Sequence, residues 1–154
     1  MWLINTRKPK SKLKSQSSKV RRKSRVLKLE WEDASEIKLN IEHILKILDF
    51  SHIDPSRIFC FRTSGSKSRS YARIWAMPKI FQRALVIQPA YVIEVLSQYY
   101  DKLDEDSKKK VLIHELLHIP KNFSGSLLPH RSRHRHLQSQ VNQLFKEYKK
   151  ISNS

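Results

Sequence analysis

The stretch His114-Glu115-Leu116-Leu117-His118 decides how the rest of the chain is interpreted. Residues four apart lie on the same face of an α-helix, so both imidazoles can bind one metal ion. Glu115 is rotated about 100° around the helix from His114, where a glutamate stands beside the metal without binding it. There it can accept a proton from metal-bound water, whose pKa zinc lowers to ~7. The pattern predicts a zinc site of the hydrolytic type, with Glu115 as catalytic base.

The residues around this motif are apolar on most sides of the expected helix, which is typical of a buried central helix. They are Val111, Leu112, Ile113, Leu116, Leu117 and Ile119. Two histidines and a glutamate in such a segment need partners, because buried polar groups without them are costly. A shared metal ion supplies that partner. The alternative is that both histidines are core residues satisfied by hydrogen bonds.

A catalytic zinc site uses three protein ligands and keeps one open position. His130 follows His118 by twelve residues, across a loop containing Gly125 that can fold back onto the helix. We therefore expect His130 to be the third ligand. His134 is its main rival and His136 comes next, although both belong to a basic run that is typical of a protein surface.

Hydrophobic periodicity predicts four helices and two or three strands. The helices are expected at Glu36–Leu48, Pro89–Tyr100, Asp104–Ile119 and Arg133–Ile151, and the strands at Ile58–Arg62, Tyr71–Met77 and, for a shorter one, Leu85–Ile87. Asp33 or Ser35 is the expected N-cap of the first helix, and Pro120 should end the third. The fold class is therefore α+β, with a small, mostly antiparallel sheet packed on helices that include the one bearing the motif.

Positive charge is concentrated at the N-terminus of the 154-residue chain, which carries a formal charge of +17. Residues 1–28 contain eleven Lys or Arg and no acid, whereas residues 29–154 carry a formal charge of +6. The first segment has too few large apolar residues to offset its ordering entropy. We expect a disordered basic arm, able to bind nucleic acid electrostatically, ahead of one folded domain.

The remaining composition excludes several classes of protein. No apolar stretch approaches the ~20 residues of a membrane span, so we expect a soluble, cytoplasmic protein without a membrane partner. The single cysteine, Cys60, excludes an internal disulfide and a zinc site built on paired thiolates. Neither length nor composition predicts an oligomeric state.

The segment HELLHIPKNFSGSLLPH, residues 114–130, closely resembles a metallopeptidase family of archaea and their viruses or phages. The similarity extends upstream through residues 73–78 and 91–95. It implies a minimal zincin fold, a protein or peptide substrate, and zinc bound by His114, His118 and His130 with Glu115 catalytic. The layout is also distantly similar to SprT-like proteases, some of which cleave proteins attached to DNA. In zincins an edge strand binds the substrate backbone, and Leu85–Ile87 is the strand we expect there.

Overall fold

The computed structural model describes residues 28–129 and 134–154, without the side chains of residues 134 and 135. The predicted basic arm, residues 1–28, therefore lies outside the described residues except for Lys28. The strands are β1 (Glu30–Asp33), β2 (Ile58–Ser64), β3 (Ala72–Ala76) and β4 (Tyr91–Leu96). The helices are α1 (Ser35–Ile47), α2 (Lys79–Leu85), α3 (Ser97–Tyr100), α4 (Glu105–Leu116) and α5 (His134–Ser152), with a 3-10 turn at Pro55–Arg57.

The four strands form one mixed sheet in the order β1-β2-β4-β3. The two central strands, β2 and β4, run parallel, with Cys60 opposite Ile93. Both edge strands are antiparallel to their neighbours, β1 to β2 and β3 to β4. Two of the three pairings are thus antiparallel, and the α+β prediction is confirmed.

The core lies between one face of the sheet and three helices. Alternate strand residues such as Ile58, Ile93 and Val95 point inward and are buried. They join a cluster with the apolar faces of α1, α4 and α5, whose members are Ile37, Ile41, Ile44, Leu112, Ile113, Leu116, Val141, Phe145 and Tyr148. This face, covered by helices, is called the inner face, and the opposite one the outer face.

Helix α1 follows the predicted periodicity but not the predicted cap. Ala34 occupies the N-cap position, with φ −113°, and no side chain caps the helix. Neither Asp33 nor Ser35 has that role, because Asp33 still pairs with Phe61 in the sheet and Ser35 is already helical. The backbone N–H of Ala34 donates to the Cys60 carbonyl at 3.1 Å. The chain therefore passes directly from strand to helix.

The helix predicted at Pro89–Tyr100 is wrong for most of its length, because residues Tyr91–Leu96 form the central strand β4. Only Ser97–Tyr100 is helical. Its apolar residues fit both a buried helix and a strand buried on both faces, which periodicity alone does not separate. The aromatic and β-branched residues Tyr91, Val92, Ile93 and Val95 favour a strand.

The short strand predicted at Leu85–Ile87 is also wrong. Leu85 ends helix α2, and Val86 adopts the left-handed conformation, with φ 55°. The N–H groups of both Val86 and Ile87 donate to the Gln82 carbonyl, which closes the helix instead of opening a strand. The edge strand beside helix α4, which carries His114 and Glu115 of the HExxH motif (residues 114–118), is consequently β3.

Within residues 28–129 and 134–154, no helix is long and apolar enough to cross a membrane.

Candidate metal centre

Helix α4 carries the motif into the core. Asp104 caps its start by accepting from the Ser107 N–H at 2.7 Å, and Glu105 and Asp106 in the first turn suit the positive end of the helix dipole. The regular helix ends at Leu116, earlier than the predicted Ile119. A 3-10 turn follows, in which the His118 N–H donates to the Glu115 carbonyl at 3.1 Å. His118 is therefore positioned by this tightened turn ahead of Pro120.

The two histidines of the motif converge. The Nε2 atoms of His114 and His118 lie 3.3 Å apart, and the ring planes meet at 72°. Two nitrogens bound tetrahedrally to one zinc ion, each at about 2.0–2.1 Å, are about 3.3–3.4 Å apart. The spacing of the two imidazoles therefore fits a shared metal ion.

The tautomer of His118 is fixed by a backbone carbonyl. Its Nδ1 lies 2.9 Å from the Leu128 oxygen, and because a carbonyl can only accept, Nδ1 carries the proton. The other ring nitrogen of His118, Nε2, lies toward His114. The Leu128 N–H donates in turn to the His118 carbonyl at 2.8 Å. Such a carbonyl partner is typical of histidines that bind metals.

The loop that supplies Leu128, residues 121–129, is held by residues that the sequence did not indicate. The Tyr91 hydroxyl donates to the Ser126 carbonyl at 3.0 Å and accepts from the Gly125 N–H at 2.9 Å. Gln82 donates to the Ser124 carbonyl at 3.1 Å. Gly125 has φ +78°, and a β-carbon there would approach the Gln82 amide to 2.1 Å. Tyr91 is the first residue of β4, which starts beside this loop. A correct strand prediction for β4 would therefore have pointed to Tyr91 as a residue that holds the loop.

Glu115 lies next to the histidine pair and is only 8% exposed. Burial raises the pKa of its carboxyl to about 7. A carboxyl of that kind can take up and release a proton near neutral pH. The carboxyl group also lines both parts of a cleft, so a molecule bound there can reach it.

A cleft runs on both sides of Glu115, between β3 and the end of α4. Its two parts have volumes of about 460 and 660 Å³ and share Ser70, Ala72, His114 and Glu115. The smaller part is bounded by Tyr71, Leu103, Lys110 and Val141, and the larger part by Ile74, Trp75, Leu127 and Leu128. One side of β3 pairs with β4, and the other faces this cleft without pairing to any strand of the described chain.

The expected third ligand, His130, lies outside the described residues. So does the side chain of His134, while His136 is exposed near the start of α5. In the part of the chain that the structure describes, no three His, Cys, Asp or Glu side chains form a group able to hold a metal ion. The described residues thus bring together His114, Glu115 and His118, and the assignment of His130 remains a prediction.

Comparison with known proteins identifies the family of this chain. No curated protein and no solved structure matches the chain. A family model described as "Putative phage metallopeptidase" matches residues 29–149, which include the whole sheet, the histidine pair and most of α5. A family of metallopeptidases implies a bound metal ion and a protein or peptide substrate. Since the match covers well over half of the sequence, the chain belongs to this phage metallopeptidase family.

Proposed function

We propose that the protein hydrolyses peptide bonds with a zinc ion held by His114, His118 and His130, and with Glu115 as general base. The observation that carries the proposal is the pair of Nε2 atoms, 3.3 Å apart, beside a buried carboxyl group. Nitrogen ligands from histidine suit zinc well. A bound zinc ion would act as a Lewis acid toward water and toward the substrate carbonyl.

Glu115 supplies the proton transfers of the proposed reaction. Its carboxylate accepts the proton of the attacking water and delivers it to the nitrogen of the leaving amine. Burial of Glu115 beside the histidine pair places its carboxyl group where it can reach a water molecule in the cleft. The Leu128 carbonyl holds the His118 ring by a hydrogen bond from Nδ1, and His114 lies one helical turn before it.

The position of Leu128 supports His130 as third ligand over its rivals. The backbone of Leu128 contacts His118 through two hydrogen bonds. His130 follows Leu128 by two residues, and two residues extend at most about 7 Å. His134 is farther along the chain, and the exposure of His136 disfavours it.

We propose that the substrate is an extended segment of a protein lying along β3. The unpaired edge of this strand faces the cleft and offers backbone groups to an added strand. Ala72 lines both parts of the cleft, so a peptide along this edge passes Glu115. The strand expected in this role, Leu85–Ile87, is excluded by its helical and left-handed conformation.

The charge of the N-terminus supports a finer proposal about the substrate. Residues 1–28, with eleven basic side chains, would hold the peptidase domain of residues 29–154 on nucleic acid, where it would cleave associated proteins. The second candidate function is a nucleic-acid-binding protein whose zinc is structural and closed by a fourth protein ligand. The two candidates differ in whether the wild-type protein cleaves peptide bonds at all.

The test combines metal content with hydrolysis. Elemental mass spectrometry of the full chain should find one zinc ion in the wild type, little in His130→Ala, and one in the matched control His136→Ala. Glu115→Gln should keep its zinc and lose about 10²- to 10⁴-fold in cleavage of a labelled casein substrate. Equal zinc loss in both histidine variants would refute the ligand assignment. Undiminished cleavage by Glu115→Gln would refute the general-base role, and zinc without any cleavage in the wild type would favour the structural site.

A further inference from the structure

The outer face of the sheet carries aromatic side chains that nothing in the described chain covers. Strand alternation places Trp31, Phe59, Phe61 and Trp75 on this face, one from β1, two from β2 and one from β3. Trp31 is 60% exposed, Trp75 53% and Phe59 49%. Exposed aromatic residues concentrated on one face mark a binding surface more often than single ones do.

The two tryptophans line one concavity of about 560 Å³. Phe61 and Val92 contribute apolar surface to it, and Leu29 lies at the end where the chain enters the sheet. Trp75 is held in place, because its Nε1 donates to a Glu94 carboxylate oxygen at 2.6 Å. The Arg73 guanidinium lies 5.4 Å from the centre of the same indole and donates to Glu94 at 3.0 Å. This indole therefore presents a fixed aromatic surface.

Positive charge surrounds the end of the sheet nearest Leu29. Lys28 lies beside the loop of residues 65–70, since a β-carbon on Gly65 would come within 2.1 Å of the Lys28 carbonyl. That loop contains Lys67 and Arg69. Lys28, Lys67 and Arg69 form no ion pair with another described residue.

The acidic residues of β1 oppose this charge only in part. Glu30 and Glu32 alternate with Trp31 and so project to the inner side of the strand. Asp33 is on the outer face, opposite Phe61, at the end of β1 away from Lys28. Glu94 is neutralised by Arg73. Leu29 lines the concavity and directly follows Lys28. The concavity therefore borders a basic rim, which consists of Lys28 and of Lys67 and Arg69 in the adjacent loop.

We propose that the outer face binds single-stranded nucleic acid, with bases stacked on Trp31 and Trp75 and phosphates contacting Lys28, Lys67 and Arg69. Stacking on aromatic side chains and a basic path for the backbone are the two elements of such sites. A duplex keeps its bases stacked on each other and cannot use the indoles in this way. An acidic peptide would use the rim but would leave both aromatic surfaces without a planar partner.

The test separates stacking from charge with the full chain. Anisotropy of a labelled oligothymidylate of about fifteen nucleotides measures single-strand affinity, and unlabelled heparin serves as a polyanion without bases. Trp31→Ala should weaken oligothymidylate binding about 5- to 150-fold. The inhibition constant of heparin should stay unchanged, because heparin has no bases to stack. Trp31→Phe should restore most of the affinity, because it keeps a stacking ring. Phe81→Ala removes another exposed aromatic residue, from α2 and outside the concavity, and should have no effect.

Three outcomes of this experiment would overturn the proposal. It fails if Trp31→Ala weakens oligothymidylate and heparin equally, or no more than Phe81→Ala does. It also fails if the wild type forms dimers that Trp31→Ala dissociates, since a second copy would then cover this face. An oligouridylate in parallel determines whether RNA binds as well as DNA, and comparable affinities for both support stacking by a sequence-tolerant surface. None of these results depends on peptidase activity.

Discussion

The two faces of the sheet are built from the same strands but differ in what covers them. On the inner face, Ile58, Ile93 and Val95 are enclosed by α1, α4 and α5. On the outer face, Trp31, Phe59 and Trp75 remain about half exposed. Alternation along a strand supplies side chains to both faces equally, so the difference arises from the helices, which close one side only. Apolar residues on the inner face stabilise the fold, whereas those on the outer face are available for binding.

Glu94 shows that burial also occurs on the outer face, by other means. Its carboxylate is enclosed by Thr63, Arg73 and Trp75, each of which donates a hydrogen bond to it. Burial alone would raise its pKa, but these hydrogen bonds and the charge of Arg73 outweigh that effect and lower it. Hydrogen bonds within a polar cluster thus hold the side chains at the centre of the outer face, whereas apolar side chains pack together on the inner face.

The largest expected difference between the faces is in folding stability. Ile93→Ala removes a side chain that is 0% exposed and should lower the free energy of unfolding by about 2–5 kcal/mol. Phe59→Ala, on the neighbouring strand but on the outer face, should change it by no more than about 0.5–1 kcal/mol. Urea unfolding followed by circular dichroism measures both. Similar losses in the two variants would mean that something covers the outer face in solution.

The sequence predicted the inner-face helices better than the strands they cover. Helices α1 and α5 repeat apolar residues with the period of a helix, and the HExxH spacing indicated His114, Glu115 and His118. The helix predicted in place of β4 is wrong because apolar residues on both faces of a buried strand also fit a buried helix, and because Glu94, the polar residue among them, is buried by contacts with other strands. Its partners, Thr63, Arg73 and Trp75, are distant in sequence and meet it only in the sheet. The periodicity of neighbouring residues cannot predict contacts between residues that are distant in sequence.

The same division applies to the candidate metal centre. The residues that follow from local spacing were predicted, and those that meet the site through long-range contacts were not. The pairing of His114 with His118 follows from one helical turn. The carbonyl of Leu128, the hydroxyl of Tyr91 and the amide of Gln82 reach the site from loops and elements elsewhere. Residue types that contribute by one backbone or hydroxyl group leave no motif, so sequence reasoning did not identify them.

The second prediction concerns the polar cluster of the outer face. Glu94→Gln keeps the shape of the side chain but removes its charge, and should cost about 1.5–3 kcal/mol at pH 7, as for hydrogen bonds to a charged group. Because the folded-state pKa lies below the ordinary 4.5, this stability is present above pH 4.5 and is lost as the pH falls through the folded-state value. Thermal unfolding of wild type and variant at several pH values should show their difference shrinking below pH 4.5. The exposed Glu147→Gln is the control, and a pH-independent difference would contradict the assignment.

The smallest expected effect links the inner face to the metal centre. Tyr91 begins β4 and is fully buried, yet its hydroxyl bonds to Ser126 and Gly125 in the loop that holds Leu128 against His118. Tyr91→Phe keeps the ring but leaves the buried Gly125 N–H without its acceptor, at a cost of about 1–2 kcal/mol. Metal affinity should fall by less than the roughly 10- to 100-fold seen for direct partners of ligands, because Tyr91 acts one step further away. Competition with a chromogenic zinc chelator measures that affinity, and Tyr71→Phe, an exposed tyrosine bordering the same cleft, is the control. If Tyr91→Phe loses stability but binds zinc like the wild type, the loop keeps its geometry without this hydroxyl, and the inner face supports the metal centre through packing alone.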